Sequence, residues 1–217
     1  TRPLLERTPV FDQLLTPLAL TATVATIVLA TPVWAQTAPD DLVRQISIEV
    51  IDAAKADKGI QAGDMSRISA LVDTKVMPSV NFEVATRSAV GLQWRLATLE
   101  QRTRLQAEFK TLLLRLYAGA LTQVKDQTVE VTKTLPVPGN TQVIVQTEVR
   151  GKGEPIKLDY RLDKGSDAAA VWKIIDVNVG GIWLVQNYRS QFAGELTKGG
   201  IDGLIKTLVE RNKATAK

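Results

Sequence analysis

The sequence predicts an α+β fold, with helices first, then an antiparallel sheet, then helices again. Apolar residues recur at three- and four-residue spacing from position 42 to 124, change to a period of two between 129 and 162, and return to helical spacing from Ile182. The links inside the alternating region are short and rich in Gly and Pro. Consecutive strands should therefore pair as a four-stranded antiparallel meander, with several helices packed on its apolar face. At 217 residues, with 45% apolar and 23% charged side chains, the chain suits a single domain with a full core.

The first segment has the composition of a secretory leader. Arg2 and Arg7 form a basic start, residues 14–30 are apolar and uncharged, and Val33-Trp34-Ala35 presents small residues where a signal peptidase reads them. This predicts a signal peptide over 1–35, cleaved before Gln36, and one exported domain over 36–217. An uncleaved anchor is the other reading of the segment, disfavoured by Pro17 and by its short apolar run.

Pro39-Asp40-Asp41 can open a helix whose apolar face is Leu42, Val43, Ile46, Val50, Ile51 and Ala54. Residues 55–63 break it. Asp64 should cap a second helix that carries Ile68, Leu71, Val72 and Val76 to a stop at Pro78. A helical pattern over 84–94 is interrupted at Gly91. Thr98 should then cap the longest helix, from about Leu99 to about Val124, whose stripe of Leu105, Phe109, Leu112, Leu113, Leu116, Tyr117, Ala120 and Leu121 is too wide for one neighbour.

Four strands follow. Val129, Val131 and Leu135 alternate with polar residues before a turn at 136–140; Val143, Val145 and Val149 do so before a turn at 151–155. Ile156, Leu158, Tyr160 and Leu162 alternate with Lys157, Asp159, Arg161 and Asp163. The fourth strand, 171–179, is apolar on both faces at its centre and should be interior. Gly180 and Gly181 turn the chain, and Ile182, Val185, Tyr188, Phe192 and Leu196 begin an amphipathic helix with Gln186, Asn187, Arg189, Ser190 and Gln191 on its wet side. A last helix over 201–209 turns Leu204, Ile205 and Leu208 inward, before a polar tail.

Two absences limit the chemistry. The chain has no His and no Cys, which removes Ser-His-Asp and Cys-His catalysis, the usual zinc sites and any disulfide framework. No Gly-rich phosphate loop or calcium loop is present. Glu100, Glu108, Asp126, Glu130, Asp159 and Asp176 could do acid-base work, but none forms a recognisable pair; Asp176, after Ile174-Ile175, reads as a buried structural acceptor. A non-enzyme without metal or cofactor is expected. The net charge of +4 is spread among carboxylates, which suits an anionic surface better than a nucleic acid.

The words of the sequence go further. Residues 181–192, GIWLVQNYRSQF, with Gly199-Gly200-Ile201-Asp202-Gly203-Leu204-Ile205, resemble the C-terminal signature of the MlaC family, also called the toluene-tolerance family. Phe82, Ala89, Gly91, Trp94 and Leu99-Glu100-Gln101 match its typical order of aromatic, small residue before Gly, Trp and Glu-Gln pair, and Trp172-Lys173-Ile174-Ile175-Asp176-Val177 is similar as well. The resemblance spans roughly 64–212.

It implies a monomeric periplasmic carrier, linked to outer-membrane lipid asymmetry and solvent tolerance, that holds phospholipid tails in an apolar cavity between sheet and helices. Its implied partners are an outer-membrane lipoprotein complex and an inner-membrane ABC transporter complex with an MCE-domain subunit. The implied lining is Phe109, Leu113 and Tyr117 from the long helix, Trp172 and Ile174 from the fourth strand, and Val185, Tyr188, Phe192, Leu204 and Leu208 after it. Arg189 is the implied headgroup or partner contact. Trp183 departs from the family, which typically has Ser there, and could fill part of the pocket or pack on the surface. From the residues alone, a periplasmic adaptor or chaperone with a filled core stays open, because cavity linings and cores use the same side chains. So does a hydrolase using Asp176 or Glu100.

Overall fold

Most helices among the described residues begin where a side chain takes up their free amides. In the computed structural model, which describes residues 37–165 and 170–214, Asp64 accepts from the amides of Ser66 and Arg67 and opens α3, Met65–Leu71. Thr98 opens α5, Leu99–Thr122, through a reciprocal box with Gln101. Ahead of these lie α1, Pro39–Ala56, with Asp40 and Asp41 in its first turn, and the single turn α2, Lys58–Gln61, capped by Asp57. The chain leaves α3 through a wide turn over Val72–Val76 and a tight one over Met77–Ser79, where Pro78 ends the run. Helix α4, Phe82–Val90, is capped by Asn81 and stops at Gly91, whose φ of 71° suits glycine. The expected leader, 1–35, lies outside the described residues.

The sheet has five strands in the order β1-β2-β3-β4-β5, all antiparallel: Thr128–Pro136, Gln142–Arg150, Ile156–Asp163, Lys173–Val179 and Ile182–Trp183. This corrects the four-strand expectation. Gly180 and Gly181, with φ of 59° and 93°, fold the chain back so tightly that Ile182 pairs with Val179 and Trp183 with Asn178 before any helix begins. Helix α6 therefore starts at Leu184, not Ile182, and runs to Ala214 with a kink at Gly200, whose φ of 60° separates the two helices expected there.

Register divides the sheet into two faces. Val145 pairs with Tyr160, Tyr160 with Val177, and Leu162 with Ile174, so these side chains share the face toward the helices. Arg161 pairs with Asp176, and Asp159 with Asn178, on the other. A bulge beside Leu162 leaves Ile175 without a partner in β3 and lets β4 carry both an apolar and a polar face.

The core is in three parts. Phe109, Leu105, Leu112, Tyr188, Phe192, Leu204 and Leu208 gather α4, α5 and α6. Ala54, Ile60, Ile68, Leu71 and Ala118 join α1, α2 and α3 to the second half of α5. Val43, Val145, Leu162 and Ile174 bind α1 to the sheet. The wide apolar surface of α5 thus serves two neighbours: its first half faces α6, and its second half faces α1 and α3 through Leu114, Ala118 and Leu121, with Val124 joining just past its end. Leu116, half exposed, belongs to neither.

Candidate functional site

Both helical elements of the candidate site hang from β4. At one end, the amide of Asn81 donates to the carbonyl of Ile174 at 2.9 Å, and Val80 bridges to Ile174 in parallel sense. Asn81 then caps α4 through the amide of Val84, so β4 fixes where Phe82 enters the helical layer. Further along, Asp176 Oδ1 accepts from the amides of Val177 at 2.8 Å and Val185 at 2.9 Å, which ties the first turn of α6 to the strand. Burial pushes the Asp176 carboxyl up, while the two amides and Arg161 pull it down. Its lone pairs are spent on holding backbone, the structural role its sequence position suggests.

The helical wall is built on Phe109. Its ring lies 4.9 Å from Tyr188 and 5.3 Å from Phe192, both edge-on, and 5.7 Å from Phe82, tilted. Leu204 and Leu208 close the cluster from beyond the Gly200 kink. At its margin Tyr117 is 39% exposed. Burial raises the Tyr188 phenol, the nearby Tyr117 phenol adds to that, and Arg211 opposes it. Facing the helices, the sheet wall offers Val143, Tyr160, Trp172 and Val177 as half-buried neighbours of Val145, Leu162 and Ile174. Burial also raises the Tyr160 phenol, with Ser47 of α1 as its polar partner.

Seven of the ten residues expected to line the pocket fall in or against the helical cluster: Phe109, Leu113, Val185, Tyr188, Phe192, Leu204 and Leu208. Trp172 and Ile174 belong to the sheet wall, and Tyr117 stands outside both. Among the described residues, two surface depressions flank the turn after α1, and none of the ten borders either. Left out of that expectation were Val143, Val145, Tyr160 and Val177, which make the sheet wall apolar. For Val143, Val145 and Tyr160 the signal was the period-two pattern of β2 and β3, which marks a face without saying what it faces; Val177 lies in β4, which is apolar on both faces at its centre.

Arg189 and Trp183 are both on the outside of this arrangement. Arg189 is exposed on α6, and its guanidinium covers the Gly91 turn, where an added Cβ would stand 3.8 Å from Nε. Trp183 shares the outer sheet face with Asn178, and the Arg161 guanidinium stacks over its ring at 4.5 Å. The departure at 183 therefore supports an arginine on the polar face and leaves the inner face unchanged. Among the described residues no group of carboxylates could hold a metal ion, and no helix is long and apolar enough to cross a membrane.

Comparison with known proteins adds the relatives. A family model described as MlaC protein matches residues 44–210. The "Intermembrane phospholipid transport system binding protein MlaC" of Haemophilus influenzae is 25% identical over 173 residues, covering 79% of this chain and 80% of that one. "Toluene tolerance protein ttg2D" of Pseudomonas putida is 27% identical over 177 residues, 81% and 80% of the two chains. Among solved structures, a phospholipid-binding protein from Ralstonia solanacearum in complex with a phospholipid superposes with a TM-score of 0.78. It is 37% identical and covers 83% of this chain and 100% of that one.

Proposed function

The chain belongs to the MlaC family, and on that premise we propose that it is a periplasmic phospholipid carrier that moves lipid between the inner and outer membranes. The observation that carries the reading is the fold shared, at 37% identity and over the whole of its chain, with a protein solved around a phospholipid. In this reading the acyl chains enter between the sheet wall of Tyr160, Trp172 and Val177 and the helical wall of Tyr188 and Phe192, opening the gap along the seam held at Asn81 and Val185. An outer-membrane lipoprotein complex and an inner-membrane ABC transporter with an MCE-domain subunit are its donors and acceptors.

The need for a carrier is energetic. A sixteen-carbon chain in water costs about 0.8 kcal/mol per CH₂, on the order of 12 kcal/mol in all, so free passage between membranes is negligible. An apolar gap returns most of that, as a bilayer does. Loading and unloading are then nearly balanced, and direction comes from the partners.

Native mass spectrometry of the protein purified from the periplasm tests the reading. A bound mass of one phospholipid is expected, and Val177→Trp, which fills the sheet side of the gap, should reduce the loaded fraction about tenfold while overpacking destabilises by about 1–3 kcal/mol. A protein that carries no phospholipid, and takes none from vesicles, would overturn it. That result would favour an adaptor with a filled core, a reading supported by how completely Phe109 and Leu204 are already enclosed, at 1% and 0% exposed.

A further inference from the structure

Between α4 and α5 the chain makes a tight turn over Gly91–Leu96 in which every inward position is used. Val90, Trp94 and Ala97 are buried in the helical wall, at 4%, 4% and 6% exposed. The residues between them do the opposite: Leu92, Leu96 and Leu99 are 80%, 76% and 81% exposed. The other large apolar side chains at the surface, such as Ile48, Leu116, Ile156 and Ile182, are less exposed and stand on separate elements, as single surface hydrophobes usually do. Three leucines within eight residues, none folded onto the core, form a projecting apolar tip.

Its surroundings are basic. Residues 87–104 hold Arg87, Arg95, Arg102 and Arg104 against the single acid Glu100, a net +3 where the whole chain carries +4. From α6, Arg189 reaches the same place, over Gly91 and next to Leu92 in sequence. Among the described residues Arg87, Arg95 and Arg104 make no ion pair; Glu83, a turn before Arg87 on α4, and Asp202, bonded to Gln101, add negative charge at the margin. The tip is also stiff. Arg102 stacks over Trp94 at 5.4 Å and donates to its carbonyl, and the Thr98–Gln101 box fixes the start of α5.

We propose that the leucine tip at Leu92, Leu96 and Leu99, ringed by Arg87, Arg95 and Arg189, is where the protein touches an anionic bilayer surface. Apolar side chains enter the headgroup boundary and arginines meet phosphates, the pairing by which peripheral proteins hold a membrane without spanning it. Charge complementarity favours the bilayer: four arginines to one acid over 87–104, with a fifth from α6, match an extended negative surface around an apolar tip. The proposal rests on the carrier reading for its purpose, because it places the membrane contact beside the first turns of α5 and α6.

Flotation with vesicles of phosphatidylcholine, with and without phosphatidylglycerol, tests it, with native mass spectrometry on the same samples. Binding to the anionic vesicles is expected, weakening steeply as salt rises from about 0.02 to 0.5 M because exposed charges are then screened. Leu92→Asp with Leu96→Asp should lower it about tenfold, and Arg87→Gln with Arg95→Gln should remove the preference for anionic lipid, with both variants keeping their melting temperature because the altered side chains are exposed. Wild-type protein that ignores anionic vesicles, or variants that bind them unchanged, would overturn the proposal. So would variants that bind vesicles normally and lose only transport in cells, since the tip would then serve a protein partner. Loss of bound lipid with vesicle binding intact would instead count against the carrier reading alone.

Discussion

The two apolar walls are filled to different degrees. Among the described residues, fourteen of nineteen side chains in and against the helical cluster are buried, against four of twelve on the sheet side. The helical wall is a finished core of interlocked rings; the sheet wall, aliphatic apart from Tyr160 and Trp172, is half covered, with α1 lying across only part of it. Hydrocarbon placed against the sheet wall would bury more apolar surface than hydrocarbon placed against the helical wall, so in the carrier reading the helices supply rigidity and the sheet supplies the contact area.

The largest test of that difference is a pair of truncations. Phe109→Ala removes the ring that three others touch and should destabilise by about 3–5 kcal/mol, enough to unfold a marginal domain. Val177→Ala, on the half-buried sheet wall, should cost about 1 kcal/mol or less. Urea unfolding measures both, and equal losses would mean that the two walls are one continuous core.

Much of the fold behind this contrast could be read from the sequence, and the parts that could not have physical causes. Caps at Asp64 and Thr98, the alternation of β3 and a last helix from Ile201 are local signals, and each lies where the sequence puts it; the second helix, expected to reach Pro78, leaves α geometry after Leu71 and arrives there through a wide and a tight turn. Strand β5 was invisible because two residues have no period, and Ile182 happens to fall in helical step with Val185 and Tyr188. The α5 stripe showed that two neighbours exist, yet not where one gives way to the other: Ala118, small enough to look neutral, is buried while Leu116 and Tyr117 are not. Residues of the expected lining were divided between two walls for the same reason. Periodicity reports which face is apolar, and tertiary packing alone reports what covers it.

A smaller effect separates the inner face of the sheet from the outer. Trp183→Ser removes the ring beneath Arg161 and should cost about 0.5–1 kcal/mol. Lipid loading should stay at the wild-type level, because Trp183 shares its face with Asn178 and not with Val177. A melting curve and a native mass spectrum on one preparation check both halves; a change in loaded lipid would mean that the ring reaches the inner gap.

The smallest effect concerns the joint between the walls. Burial is the dominant influence on Asp176 and raises its pKa above the ordinary 3.8, so the native state holds this proton more tightly than the unfolded chain does. Stability from the group is then fully present below the unfolded value and is lost as pH rises through the folded one, where the carboxylate must be carried buried. Asp176→Asn keeps an oxygen for the amides of Val177 and Val185 and removes that charge. The melting temperature of the variant relative to wild type should therefore be more favourable at pH 7 than at pH 3.5, by a few degrees at most. The opposite trend would show that the two amides outweigh burial, and that the first turn of α6 is held to β4 by an anion whose charge the fold needs.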